Sequence, residues 1–433
     1  MADREIDVIV RVADADVLAG RLWCHRRRGV ESQTFRYASE YLGLPGAYEL
    51  DPLLSLVEGA QQTPANRAIF GAFSDSAPDR WGRRLIGRAE RRRVHREGGT
   101  ARSFGEADYL LGARDDLRQG ALRFRQPSAG EFLAPPGTGV PSLLDLPTLL
   151  GAAERLERGE ESAEELATLL RAGSSLGGAR PKAHVLDDSG AVAIAKFPSP
   201  LNDDWDVMRW EAVALTLARA SEIRVPDHKL HVIDGQSVLI VDRFDRLGPT
   251  RIGYVSGLTM LERADGETGS YLEIADVIVR HSPSATDDLR ELWRRIAFSV
   301  LISNFDDHLR NHGFLRTSTA GWSLSPAFDL NPDPRAGERY LSTAIDFEDT
   351  EARVDLLLDV APEFRLTPPQ SLQALGEVHA AVGRWREVAH ELGVNDAEIA
   401  LMAPAFEHQA NTEAADRLAT VTRDPASTAK AAP

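Results

Sequence analysis

At 433 residues and 43% hydrophobic side chains, the chain is long enough for two or three domains, each with its own core. Its 50 Lys and Arg against 66 Asp and Glu leave a net charge of -16, which excludes a protein whose own surface attracts nucleic acid or anionic membrane. Met1-Ala2-Asp3-Arg4-Glu5 is too acidic to open a signal peptide, no apolar run approaches the roughly 20 residues of a membrane span, and the single cysteine, Cys24, excludes a disulfide framework. The expectation is a cytoplasmic protein that meets DNA only through a partner and has no membrane contact.

In chain order, residues 6 to 24 alternate apolar and polar about Ala13-Asp14-Ala15-Asp16, which predicts a β-hairpin opening an N-terminal subdomain over residues 1–125. Between Asp79 and Arg96 stand Arg80, Arg83, Arg84, Arg88, Arg91, Arg92, Arg93 and Arg96, offset only by Asp79 and Glu90. This predicted helix is either a solvated basic face or a docking patch for RNA or an acidic partner. Residues 126–146, rich in Pro and Gly, read as a linker.

From Pro147 to Ala172 leucines recur at helical spacing on a Glu-rich background, and Gly173 ends the run. Ser174-Ser175-Leu176-Gly177-Gly178-Ala179-Arg180-Pro181-Lys182 follows. Small residues beside two cations suit a loop whose backbone N–H groups cradle phosphate oxygens, although neither standard glycine-rich phosphate motif is matched and a flexible turn has the same composition. Strands are predicted over Ala183–Leu186 and Ala191–Phe197, joined at Asp187-Asp188-Ser189-Gly190. In the second, Val192, Ile194 and Lys196 share one face by the two-residue period, so the Lys196 ammonium emerges from an apolar surface and calls for an anion. A lysine snorkelling at a sheet edge is the alternative.

The helical pattern from Asp206 to Ser221 puts Val207, Glu211, Ala214 and Ala218 on one stripe, so Glu211 faces inward. Burying an unpaired carboxylate costs several kcal/mol, and Lys196 is the nearest candidate cation; a Glu favoured by the helix dipole is the other reading. Ser237–Val241 runs into Asp242-Arg243-Phe244-Asp245-Arg246, a place for an adenine-binding hinge.

Asn304-Phe305-Asp306-Asp307-His308-Leu309-Arg310-Asn311-His312 carries the strongest chemistry. Asp306 and Asn311 are five positions apart, the spacing by which phosphotransfer enzymes place a base and a metal-binding amide on one loop. Strands over His312–Arg316 and Gly321–Leu324 then lead to Asp329, where a metal-binding carboxylate would stand. His308 and His312 have zincin spacing, but Leu309 occupies the general-base position, which argues against zinc. The last 23 residues, 411–433, are low in apolar content and are expected to be disordered.

Together the 174–182 loop, the Lys196 strand, Val241 to Arg246, Asn304 to Asn311 and Phe328-Asp329-Leu330 resemble the HipA family of serine/threonine kinase toxins. The resemblance runs from about Gly173 to Pro334, with weaker support at Arg21-Leu22-Trp23, Phe35-Arg36-Tyr37 and Phe73 to Leu85. It implies an α+β, bilobal protein-kinase-like fold: an N-lobe at 147–245 and a helical C-lobe at 246–410. It also implies an ATP- and Mg²⁺-dependent kinase with Asp306 as catalytic base, Asn311 and Asp329 as metal and nucleotide ligands, and Lys196, aimed by Glu211, on the phosphates. Ser175, Gly177, Gly178, Ala179, Lys182, Arg243 and Phe244 complete the nucleotide site. Ser175, with Ser174 as the alternative, is the autophosphorylation site the resemblance implies. It further implies a protein substrate such as an aminoacyl-tRNA synthetase, and a small helix-turn-helix antitoxin of the HipB type. Asp307 after the base and Arg310 depart from the commoner Gly and Lys. A small-molecule kinase of the aminoglycoside or choline type, or an inactive kinase-fold subunit of a repressor complex, stays open as an alternative.

Overall fold

The computed structural model describes residues 4–12, 15–127, 129–133, 139–173, 178, 180–335, 337 and 339–423. They form two compact units: Met1–Asp203 with His231–Asp265 and Leu315–Thr319, and Asp204–Leu230 with Gly266–Phe314 and Ala320–Pro433.

In the first unit the expected hairpin forms from Arg4–Val12 and Ala15–Arg27, antiparallel, with a bulge at Val8/Ile9. Gly20 sits where a Cβ would come within 2.3 Å of the Arg36 carbonyl, so the close approach of the neighbouring strand needs a residue without a side chain. With Val30–Tyr37, Gln61–Gln62 and Arg123–Arg125 these strands make a five-stranded sheet. Its buried face carries Ile6, Val8, Val10, Leu22, Phe35 and Phe124.

A second antiparallel set pairs Lys182–Leu186 with Val192–Lys196 and the latter with Gln236–Asp242. Ala183, Val185, Ala193 and Ala195 enter one apolar core with Leu149, Leu150 and Leu156 of the Leu146–Arg158 helix, Leu166 and Leu169 of the Ala163–Arg171 helix, and Trp81 and Leu85 of the Arg80–Glu97 helix. The expected division at residues 125 and 146 is therefore not where packing divides the chain. Trp81 and Leu85 are four apart on one helix face and bury themselves in the core of the Lys196 sheet, which makes residues up to 203 one unit.

The arginines of that helix are largely balanced by nearby acids. Arg83 makes a bidentate pair with Glu106 at 2.6 and 2.7 Å, Arg84 lies 3.6 Å from Glu157, Arg92 3.6 Å from Glu161, and Arg93 2.8 Å from Glu90. A basic run in sequence is thus a set of local ion pairs in space.

The second unit is built on the Ala285–Ile302 helix, in which Trp293, Ile296, Phe298 and Leu301 are wholly buried. The Tyr271–His281 and Pro368–Val382 helices pack against it. Elsewhere Trp385 and Phe406 stack at 4.7 Å, with Trp210 of the Val207–Ala220 helix 5.8 Å from Phe406. The expected boundary at 245 also moves, because Val207–Ala220 belongs to this unit.

The expected disordered tail is corrected over 411–423, where Gln409–Arg423 is a helix. Ala410 and Ala414 are buried, Asn411 Nδ2 donates to the Leu301 carbonyl at 2.9 Å, and Arg417 pairs with Asp355 at 2.6 Å. Two alanines one turn apart suffice to seat a helix closely, a signal that bulk apolar content does not register. Residues 424–433 lie outside the described residues. Truncation after His408 should cost about 2–3 kcal/mol and lower the thermal midpoint by roughly 5 °C or more, read by differential scanning calorimetry. An unchanged midpoint would show the helix to be unsupported by the core.

Candidate functional site

The Ala285–Ile302 helix ends with Ser303 in the left-handed region, φ 56, which turns the chain sharply into Asn304. Asn304 is fully buried: its Nδ2 reaches Ser299 Oγ at 3.3 Å and its Oδ1 accepts the Asn331 N–H at 3.2 Å. The next carbonyl, Phe305, accepts both the N–H and the hydroxyl of Ser342, at 3.0 and 2.7 Å. Asp306 then stands exposed to solvent. Its main-chain carbonyl accepts the His308 N–H at 2.9 Å and Asn311 Nδ2 at 3.0 Å. The two residues chosen by their spacing are thus joined across one tight turn, closed by the 3₁₀ segment Leu309–Asn311.

What holds this turn from behind is Asp307. Its side chain is buried, with Oδ2 accepting the Tyr271 hydroxyl at 2.5 Å and the Ser299 hydroxyl at 3.3 Å, and Oδ1 lying 3.1 Å from His312 Nε2 as an ion-pair contact. Its carbonyl accepts the Thr343 hydroxyl at 2.7 Å. Burial opposes ionisation of Asp307, but His312 and the two hydroxyls outweigh it and hold the carboxyl below the ordinary carboxylate range. The Tyr271 hydroxyl, buried against that carboxylate, is pushed well above its usual value. His308 is exposed while His312 is buried on Asp307, so the two histidines do not share a face.

The predicted strands appear as Gly313–Ser318 and Gly321–Leu324, and the Ser325 N–H returns to the Gly313 carbonyl at 2.8 Å. Gly321 is obligatory, since a Cβ would lie 2.1 Å from the His281 carbonyl. Asp329 follows with φ 61, a left-handed conformation costing a non-glycine residue about 1 kcal/mol, tolerated best by Asp and Asn. Asn331 Nδ2 lies 3.3 Å from Asp329 Oδ1, and the Asn331 N–H is the one that Asn304 accepts. The Asp333 N–H adds a bond to the Ser303 carbonyl at 3.2 Å. Both loops, one with Asp306 and Asn311 and the other with Asp329, are therefore rooted on Ser303-Asn304.

The expected cationic residues lie in the first unit. Ala193 and Ala195 face the core, which puts Val192, Ile194 and Lys196 on the half-buried face as expected. Lys182 is the direct cross-strand partner of Lys196, so both cations share that face. Lys182 is buried and pairs with Asp79 at 3.2 Å, while Arg180 pairs with Asp203 at 3.0 Å. Gly178 has φ 119, a conformation reserved for glycine. Ser174, Ser175, Gly177 and Ala179 lie outside the described residues. Glu211 is buried on the Val207–Ala220 helix, on the stripe predicted for it.

Arg243 is corrected. Expected at a nucleotide, its guanidinium is enclosed instead: Nε and Nη2 bind Asp245 at 2.8 and 2.6 Å, Nη1 donates to the Leu117 carbonyl at 2.7 Å, and Nη2 reaches the Arg118 carbonyl at 3.1 Å. Asp245 also accepts Arg246 at 2.9 Å and the Gly120 N–H at 2.7 Å, and despite burial these partners hold its carboxyl far below the usual range. A planar donor fork buried between a carboxylate and two carbonyls has no geometry left for a ligand. Phe244 is half-buried, its ring 6.2 Å from that of Tyr254.

Comparison with known proteins fits this arrangement. The HipA-like C-terminal domain matches residues 174–410, more than half of the chain. The chain belongs to this family. A curated "Putative kinase" of Haemophilus influenzae is 28% identical over 121 residues, covering 24% of this chain and 35% of that protein. "Putative kinase Y4dM" of Sinorhizobium fredii is 30% identical over 161 residues, covering 33% of this chain and 38% of that one. The chain thus spans under two-fifths of the length of these curated relatives. Among solved structures, HipA of the Shewanella oneidensis MR-1 toxin-antitoxin system, determined with HipB and operator DNA, superposes with a TM-score of 0.64 at 16% identity over 96% of this chain and 97% of that one. The fold of this HipA-family chain is accordingly α+β and kinase-like.

Sequence reasoning missed the supports of the site: Asp307, Tyr271, Ser299, His312, Asn304 and Asn331. The one available signal was Asp307 itself, which departs from the commoner Gly and is charged next to a predicted base. Because the folded carboxyl lies below its unfolded value near about 3.9, its contribution is present above pH ~4 and is lost as pH falls through the lowered value. Asp307→Asn should cost about 2–4 kcal/mol near neutral pH and flatten the acid limb of the stability profile. Urea melts between about pH 3 and 7 check both; an unaltered acid limb would remove Asp307 as the anchor.

Proposed function

We propose that the chain is an ATP-dependent serine/threonine protein kinase whose substrate is a cytoplasmic protein. The observation that carries the reading is the pairing of Asp306 and Asn311 across one turn, with Asp329 held on an adjoining loop by Asn304 and Asn331. The donor set suits Mg²⁺. With Nδ2 of Asn311 donating to the Asp306 carbonyl, its amide oxygen is the acceptor left to a cation, and Asp329 adds a carboxylate, two hard oxygen donors that leave room for water and phosphate.

In this reading the exposed Asp306 carboxylate accepts the proton of the acceptor hydroxyl while Asn311 and Asp329 hold the metal. Bound there, the metal would neutralise charge on the β- and γ-phosphoryl oxygens. Lys196, Lys182 and Gly178 are the groups proposed for phosphate oxygens, and Phe244 is the residue proposed for the adenine hinge. Ser175, with Ser174 as alternative, is the autophosphorylation site. A basic helix-turn-helix antitoxin is the proposed partner, supported by the HipB and operator DNA of the solved relative and by a charge of -16 that disfavours direct DNA contact. An aminoacyl-tRNA synthetase is the proposed class of target.

Purified protein given labelled ATP and Mg²⁺, then a cytoplasmic lysate, should label itself within the Ser174-Ser175 peptide and one lysate protein. Nucleotide binding without transfer would mark an inactive kinase fold, and label appearing only in small molecules would mark a different acceptor class. Asp306→Ala should keep ATP affinity within a few-fold and slow transfer by about 10²-fold or more, since the base acts on the hydroxyl rather than on the nucleotide. Transfer at the wild-type rate in that variant, measured by single turnover, sinks the assignment of the base.

A further inference from the structure

Between Arg339 and Ala352 the chain folds back on itself beside the Asp306 turn. The Ala352 N–H donates to the Arg339 carbonyl, the Leu341 N–H to the Thr350 carbonyl and the Ile345 N–H to the Asp349 carbonyl, each at 2.8 Å. One end of this loop is fastened to the base turn. Ser342 gives its N–H and its hydroxyl to the Phe305 carbonyl, and Thr343 gives its hydroxyl to the Asp307 carbonyl at 2.7 Å. The Arg339 guanidinium donates to the Ser303 hydroxyl and, at 2.7 Å, to the Pro404 carbonyl. Asp306 stands between the two carbonyls so held, which makes the loop a direct extension of the base turn.

Leu341, Ala344, Ile345, Ala352 and Val354 all bury their side chains, as the apolar residues of a well-seated loop do. Phe347 is the exception, 70% exposed at the tip. The backbone around it is fixed: Asp346 Oδ1 accepts the Glu348 and Asp349 N–H groups at 2.9 and 2.8 Å, and these bonds hold the Asp346 carboxyl below its ordinary value. The tip also carries charge of one sign. Between positions 346 and 353 the acids Asp346, Glu348, Asp349 and Glu351 stand against Arg353 alone. Arg353 pairs with Asp349 at 2.9 Å and Glu351 at 2.7 Å, while among the described residues the Glu348 carboxylate makes no hydrogen bond or ion pair.

Singly exposed apolar side chains are ordinary on a protein surface. This one differs in being an aromatic ring held out on a fixed turn, where it offers contact area at little ordering cost, as the anchor of a protein interface must. We propose that Phe347 and Glu348 form the docking point for the acceptor protein, and that they take a segment in which an apolar side chain is flanked by lysine or arginine. Thr343 to Phe347 spans at most about 14 Å of extended chain, so the ring is within reach of residues roughly three to six positions from the hydroxyl that receives phosphate. This rests on the kinase reading above and names the substrate class for it. The occupant is the acceptor rather than another basic partner because the loop is joined to the two carbonyls that flank the base. Charge complementarity then selects basic residues around the apolar anchor.

The test gives the full chain Mg·ATP and two sets of serine peptides of equal length, one rich in lysine and arginine and one rich in glutamate, with leucine stepped through about six positions on either side of the serine. The wild type should use the basic set with kcat/KM about tenfold or more above the acidic set, and best with leucine at one position. Phe347→Ala should raise the KM of that peptide by about tenfold with kcat and the KM for ATP within about twofold, and Glu348→Lys should erase or reverse the charge preference. Both residues are exposed, so an unchanged thermal midpoint separates docking from folding. If no peptide is phosphorylated, the lysate protein labelled by the wild type takes their place, and each variant should slow its labelling by about fivefold or more with Mg·ATP binding unchanged. Equal use of basic and acidic peptides, an acceptor KM or labelling rate unchanged in Phe347→Ala, or a parallel loss of ATP binding would each overturn the docking point and leave the kinase reading standing. So would loss of binding to a basic helix-turn-helix protein with acceptor kinetics unaltered, which would give the surface to that partner. A wild-type chain that phosphorylates no peptide and no lysate protein overturns both.

Discussion

The base proposed at Asp306 has to be reached by an incoming hydroxyl, and an exposed turn is rigid only if something buried holds it. The Asp307 carboxylate, ionised in the interior against Tyr271, Ser299 and His312, meets that constraint. Adjacent residues in an extended turn point to opposite sides, so burying Asp307 presents Asp306 outward. The hydroxyls of Ser342 and Thr343 take the flanking carbonyls of Phe305 and Asp307, which leaves the turn few ways to relax. Desolvating that carboxylate is costly, and the bonds that offset the cost are the ones that order the loop.

The same logic of compensated burial runs through the first unit. Asp245 is buried among Arg243, Arg246 and the Gly120 N–H, and Arg243 in turn holds the Leu117 and Arg118 carbonyls, so an arginine that looks available in sequence is fully engaged in space. His184 belongs to this network. Its Nε2 lies 3.1 Å from Arg243 and its Nδ1 3.1 Å from the Ala172 carbonyl, and burial beside that guanidinium pulls its pKa well down, so the ring stays neutral and links the arginine to the root of the 174–182 segment. Stability and the placement of candidate ligand groups are carried by the same contacts.

Charge at the scale of the chain and charge at the scale of the site point in different directions. The net charge of -16 describes a surface that repels polyanions, while Lys182 and Lys196 stand side by side on one strand pair. Lys182 is balanced there by Asp79 at 3.2 Å, so the local charge is compensated within the first unit. Among the described residues no helix is long and apolar enough to cross a membrane.

Local geometry was legible in the sequence. The spacing of Asp306 and Asn311, the hairpin leading to Asp329, the alternation that puts Lys196 on the face opposite the core, and the stripe that buries Glu211 are all consequences of short-range periodicity, and the structure reproduces the geometry behind each. Packing that joins distant segments was not legible. That Trp81 enters the core of the Lys196 sheet, that Asp79 reaches Lys182, and that Asn331 closes onto Asn304 each depend on contacts between residues from 27 to more than 100 positions apart, for which a single sequence carries no period. The helix at 409–423 was hidden for a related reason, since what seats it is two buried alanines together with the Asn411 and Arg417 contacts rather than a run of large apolar side chains. By itself the sequence determined which groups are available for chemistry, because backbone periods of two and 3.6 residues assign faces locally. Only the tertiary structure decided which of those groups are engaged, Arg243 and Asp307 inward and Asp306 outward, because burial and the partners that compensate it come from elsewhere in the chain.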